Sequence, residues 1–185
     1  MKLDHQLAQP ATLEPHTRRG RQRGASLLEG IAYLGIAAIV VMGAVALLRT
    51  AFGSANSNTV LEQLTSMQTA ARKLFLTTQG NYGVADFTQS MIDAGAVPQG
   101  MATTSTAISN VWGGTVLLSG AAGGLFTISY AAVPADVCVN VVSETTTSWT
   151  QVVVGANAGL TPPITPSQAA TACGTTSSTI VWTSN

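Results

Sequence analysis

The chain is 185 residues long, with 46% hydrophobic and only 9% charged residues and a formal net charge of zero. Its histidines, His5 and His16, both precede the first long apolar run, so beyond residue 24 no Ser-His or Cys-His nucleophile pair and no histidine metal site can be assembled. There is no Gly-x-x-x-x-Gly-Lys phosphate loop and no Rossmann fingerprint, and the carboxylates Glu62, Asp86, Asp93, Asp136 and Glu144 are scattered; nothing in the spacing argues for an enzyme or a cofactor.

Residues 1–24 carry Pro10 and Pro15, little periodicity and no core, and read as a leader. They hold Lys2, Arg18, Arg19, Arg21 and Arg23 against Asp4 and Glu14; beyond them only Arg49, Arg72 and Lys73 are basic. Basic residues beside an apolar span stay cytoplasmic, so the C-terminal part is expected to face outward. A nucleic-acid footprint is disfavoured, because the basic cluster abuts the span and nothing downstream is basic.

From Ala25 to Leu48 the sole charged residue is Glu29. At about 1.5 Å per residue this run spans a hydrocarbon core. A secretory signal would have a shorter apolar stretch followed by a small-residue cut, whereas here the helix continues, with Ser26 as N-cap candidate and Glu29 at capping-box spacing. From hydropathy alone a plain single-span anchor is the favoured reading; Glu29 and the Gly24 boundary point away from it. The span is rich in small residues (Gly30, Ala32, Gly35, Ala37, Ala38, Gly43, Ala44, Ala46), which permit close helix approach in lipid.

After a looser patch at residues 53–58, apolar residues recur at Val60, Leu61, Leu64, Met67, Ala71, Leu74 and Phe75, one face of a helix that ends at Gly80-Asn81-Tyr82-Gly83. Ser26 to about Thr78 is therefore predicted to be helical, with Gly43 and Gly53 as places where it could bend. Residues 84–101 read as a loop carrying a short helix with Phe87, Met91 and Ile92 on one side. Strands are predicted at 115–118, 125–130, 149–154 and 178–182, and short helices from Pro134 to about Glu144 and from a Thr165 cap through Ala172. No repeat is evident, and the part beyond the span reads as one domain.

Cys138 and Cys173 both lie in the expected exported part. In an oxidising compartment they read as one disulfide, stabilising by about 4 kcal/mol on the chain-entropy relation; two buried thiols are the other reading. Four zinc ligands are not available.

Glu29 calls for a partner, since an ionised carboxylate costs several kcal/mol at the centre of a span and less near an end. A cut between Gly24 and Ala25 would give Ala25 an α-amino group of pKa about 8, largely cationic at neutral pH. That amine could pair with Glu29 in the same chain or the next, where low dielectric strengthens the attraction. The bland alternative is a carboxylate that reaches the headgroups or stays protonated.

Gly24 followed by Ala25-Ser26-Leu27-Leu28-Glu29 and the apolar run resembles the type IV prepilin signature. The long basic leader, the first residue other than phenylalanine and the paired cysteines are similar to the type IVb branch, as in subunits of the toxin-coregulated pilus and of plasmid conjugative thin pili. Gln63 to Tyr82, closing on Gln79-Gly80-Asn81-Tyr82, and Cys173-Gly174 before a terminal strand also resemble that branch.

The resemblance implies an α+β fold: a long N-terminal helix, membrane-spanning in its first half, packed through its amphipathic second half on an antiparallel sheet with a C-terminal disulfide-bounded region. It implies a leader at 1–24, a membrane and filament-core helix at 25–48 and a head at 49–185. A membrane prepilin peptidase would cut after Gly24 and N-methylate Ala25, which keeps its charge. Glu29 would set recruitment and register, and a Cys138–Cys173 bridge would bound a surface region. The partners implied are further copies of the chain, the peptidase, an inner-membrane platform protein and its ATPase. The precursor would wait in the inner membrane of a Gram-negative bacterium before entering an extracellular filament that serves adhesion, aggregation or conjugation. The rival readings are a type II secretion pseudopilin, although no acidic loop for its usual calcium site is evident, and a single-span periplasmic binding module.

Overall fold

The computed structural model describes residues 27–185, the side chains of residues 49 and 50 excepted. The leader, Gly24, Ala25 and the Ser26 cap lie outside the described residues. The chain divides into two compact units, Met1–Gly43 and Ala44–Asn185.

Helix α1 covers Leu27–Leu74. It stays helical through Gly43 and Gly53, and the patch at 53–58 that the sequence marks as looser is regular helix. Hydroxyls here bond back onto the helix itself: Ser57 Oγ donates to the Gly53 carbonyl at 2.9 Å and Thr59 Oγ1 to the Ala55 carbonyl at 3.0 Å. Bonded back four residues, these side chains no longer offer the backbone an alternative to the helix. The helix ends earlier than the expected Thr78. After Leu74 the chain tightens into a 3-10 turn at Leu76–Thr78, where Thr78 Oγ1 donates to the Phe75 carbonyl at 2.9 Å. Gln79 and Gly80 then take left-handed φ values of 56° and 76°, which close the turn.

The second unit holds the head. A short helix α2 (Thr88–Asp93) precedes strands β1 (Ala102–Thr103), β2 (Ile108–Ser109), β3 (Thr115–Ala121) and β4 (Leu125–Val133). Helix α3 (Ala135–Ser143), β5 (Gln151–Val154), α4 (Pro166–Cys173) and β6 (Ser178–Ser184) complete it. The strands form one antiparallel sheet in the order β1-β2-β3-β4-β6-β5 among the described residues. This is the expected α+β arrangement of a long helix with an antiparallel sheet. Strands β1 and β2, two residues each, were not expected.

Strands β3 and β4 run further than the sequence suggests, pairing out to Gly120↔Phe126 and Ala121↔Leu125. The cause lies at Gly120, where an added Cβ would run into the carbonyls of Tyr82 and Gly83. The loop after α1 lies flat on β3 there, with Gly120 N–H donating to the Ala85 carbonyl and Phe87 N–H to the Leu118 carbonyl, each at 2.9 Å. Glycine here serves close backbone approach within a strand, rather than a turn.

Alternation along β4 puts Phe126, Ile128 and Tyr130 inward, joined by Val116 and Leu118 of β3 and Ile180 and Trp182 of β6. The expected face of α1 enters the same core through Val60, Leu64, Met67 and Ala71, with Leu61, Leu74 and Phe75 half-buried. Phe75, Tyr82, Phe87 and Phe126 form an aromatic cluster at the end of α1, with Phe75–Phe87 centroids at 5.0 Å and Tyr82–Phe126 at 4.7 Å.

Candidate functional site

The charge that the sequence singles out in the apolar run, Glu29, sits in the first turn of α1. Tyr33 lies one turn further on, and its hydroxyl donates to Glu29 Oε1 at 3.3 Å. Sequence reasoning passed over Tyr33; the signal was its i, i+4 spacing from the carboxylate, which places two helical side chains side by side.

Around this pair the helix is apolar on all sides. Its exposed residues include Leu27 (84% accessible), Leu28, Ile31, Leu34, Ile39, Val41, Met42 and Leu47 (75%). The segment is long and apolar enough to cross a membrane, and its most apolar window is not buried by the rest of the chain. A Cβ added at Gly30, Gly35 or Gly43 would meet nothing within 4 Å. The chain's own packing therefore does not require these glycines, whereas close approach by another helix would.

In the head, Gln68 and Arg72 of α1 hold the end of β6. Gln68 Nε2 donates to Ser184 Oγ at 2.7 Å and to the Ser148 carbonyl at 3.1 Å, and Arg72 Nε donates to the Asn185 carbonyl at 2.7 Å. Tyr130 donates its hydroxyl to Gln63 Oε1 of α1 at 3.4 Å, and burial pushes its phenol well above the usual range. The amide of Asn110, also unforeseen, organises the turn before β3. Its Oδ1 accepts from Gly114 N–H at 2.9 Å, and its Nδ2 donates to the Ala131 carbonyl at 2.7 Å, beside the β4 bulge where Ala132 takes φ 57°.

Cys138 and Cys173 are disulfide-bonded, with a Cα–Cα distance of 5.9 Å, joining α3 to the last turn of α4. Both are buried. Thr165 caps α4 as expected and forms a capping box with Gln168, whose Oε1 accepts from Thr165 N–H at 2.9 Å. The bridge therefore encloses Trp149, β5 and the cis Pro162–Pro163 peptide bond in one tied region.

An open groove of about 660 Å³ runs between α1 and the loop at 94–99, lined by Ser66, Ala70, Lys73, Val97 and Pro98 among others. Lys73 is its one ionisable group, so it offers no paired acid and base.

Residues 54–185 match the sequence profile of the family described as PilS N terminal, which takes in α1 from Ser54 onward and the whole head. No individually curated protein matches the chain.

Proposed function

The chain belongs to the PilS N-terminal family of type IV pilins, and from that premise we propose that it is a filament subunit of the type IVb branch. Membership makes it a structural subunit and not a member of an enzyme class. The observation that carries the reading further is the apolar start of α1, exposed around its whole circumference and interrupted only by Glu29 and Tyr33. Such a surface is stable in lipid or against like helices, and a filament subunit needs both in turn.

In this reading residues 1–24 are a leader that a prepilin peptidase removes after Gly24, leaving an N-methylated Ala25. Residues 25–48 anchor the subunit in the inner membrane and later form the filament core, and 49–185 form the exposed head. The Ala25 amine of an incoming subunit pairs with Glu29 of its neighbour, so both charges are neutralised as the helix leaves the membrane. A platform protein and its ATPase supply the extraction, and the extracellular filament serves adhesion, aggregation or conjugation.

Peptide mass spectrometry of the chain from its native cells, with and without reduction, tests the processing step. A mature chain starting at methylated Ala25 with a Cys138–Cys173 link is expected. A chain that retains residues 1–24 would instead mark a plain anchor, and one cut after about residue 50 a secreted domain. Either result removes the amine that Glu29 needs.

A further inference from the structure

Between Gly30 and Leu48 every side chain but one is apolar or absent, and that one is Tyr33. A phenylalanine would supply the same ring without a hydroxyl to desolvate in lipid, so the hydroxyl needs a partner. It has one: the carboxylate of Glu29, at 3.3 Å from Tyr33 Oη to Oε1. Helical side chains lean toward the N-terminus, which carries the tyrosine ring back over the turn that bears Glu29. Among residues 27–48 the only hydroxyl thus falls on the only carboxylate.

We propose that Tyr33 is a positioning residue for Glu29, holding the carboxylate in one orientation for the amine of a second copy. The inference rests on the Glu29 pairing reading above. A glutamate side chain free to rotate loses that freedom on pairing; one already held by a hydrogen bond loses less. A carboxylate has about four lone-pair sites, so a donor on Oε1 leaves acceptor capacity for an ammonium. Ala25 precedes Glu29 by four residues and Tyr33 follows it by four. A carboxylate drawn toward Tyr33, one turn after it, is turned away from the chain's own amine, one turn before it, and this favours pairing between copies.

The test uses the full mature chain in three forms: wild type, Tyr33→Phe, which keeps the ring, and Glu29→Gln. Filaments sheared from cells are weighed against subunit remaining in the inner membrane. In parallel, the ¹³C resonance of the Glu29 carboxylate is followed in lipid vesicles of glutamate-labelled protein, with Glu62 and Glu144 as internal references. For Tyr33→Phe we expect normal membrane insertion, a displaced Glu29 resonance with the other two unmoved, and a filament yield lower by about tenfold, the weight of one hydrogen bond to a charged group. An unmoved Glu29 resonance or an undiminished yield in that variant overturns the role of Tyr33. If Glu29→Gln abolishes filaments while Tyr33→Phe does not, only the positioning inference fails. Normal filaments from Glu29→Gln overturn the pairing reading beneath it.

Discussion

Removing the Cys138–Cys173 bridge should destabilise the head by an amount its loop length sets. The bridge closes a sequence separation of 35, for which the chain-entropy relation gives about 4 kcal/mol. For a chain of this size that corresponds to a fall in Tm of about 8–16 °C. The effect should concentrate in the tied region, because residues 139–172 supply β5 at one end of the sheet order and the helix α4 that packs Ala169 into the core. Trp149 lies inside the loop and Trp182 on the adjoining strand, its Nε1 donating to Thr145 Oγ1 at 3.1 Å. Both are buried, so tryptophan emission reports on the loosening. Heating the detergent-solubilised chain with and without reductant, beside a Cys138→Ala/Cys173→Ala double variant, separates the cross-link from the packing of the sulfurs. If the reduced and oxidised chains melt within about a degree of each other, the loop is held by its own contacts and the entropic argument is wrong for this fold.

Three further outcomes follow from the packing. Leu64→Ala removes a fully buried side chain from the face of α1 that meets the sheet, and should cost 2–5 kcal/mol in denaturant unfolding (roughly the span for buried leucines); a loss under about 1 kcal/mol would mean that this face is loosely seated. Gly120→Ala drives a methyl group into the carbonyls of Tyr82 and Gly83, neither of which can swing aside as a side chain would, and should cost about 1–3 kcal/mol with faster proteolysis between residues 80 and 87. Tyr130 gives a pH dependence: burial raises its phenol above the unfolded value of about 10. Its contribution is then complete below about pH 10 and lost as the pH climbs beyond it, because the unfolded chain ionises first. Stability measured from pH 9 to 12 should fall less steeply in Tyr130→Phe than in the wild type, and equal slopes would refute the assignment.

What could be read from the sequence followed the strength of its periodic signals. The 3.6-residue spacing from Val60 to Phe75 marked the buried face of α1, because one-sided burial leaves a regular imprint, and β4 was legible from its run of strand-forming residues. The cysteine pair and the Thr165 cap were legible for the same reason, each being a local chemical pattern with one common meaning. Strands β1 and β2 left no imprint, since two residues cannot display a period; β2 joins the sheet where Ile108 meets Val116 of β3. The strand predicted at 115–118 was cut short because Gly120, close to Gly123 and Gly124, reads as part of a turn, when its cause is a backbone lying across the strand. Asn110 went unread altogether: it is a buried amide tying three backbone groups, and nothing in the local spacing announces those partners. Tyr33 was hidden because a lone aromatic in an apolar run reads as more apolar surface.

The two stretches of α1 face different burial problems, and the polar residues show how each is solved. Along residues 57–71 apolar area alone would tolerate a helix shifted by a turn, since a neighbouring register would cover nearly as much surface. Hydrogen bonds do not tolerate it. Gln68 must reach Ser184 and the Ser148 carbonyl, and Gln63 must reach Tyr130. A shift of about 5.4 Å would strand the buried Gln68 amide, at about 1–3 kcal/mol for each unsatisfied group. Polar contacts thus fix the register that apolar contacts merely favour. In the stretch from 27 to 48 exposed apolar residues lie on every side, so apolar area alone selects a register against another helix only weakly. The Glu29–Tyr33 hydrogen bond is a directional feature there. If like helices pack around this segment, that pair helps to set their axial alignment, and moving the carboxylate by one turn, as in Glu29→Leu/Tyr33→Glu, should displace the register or stop assembly altogether.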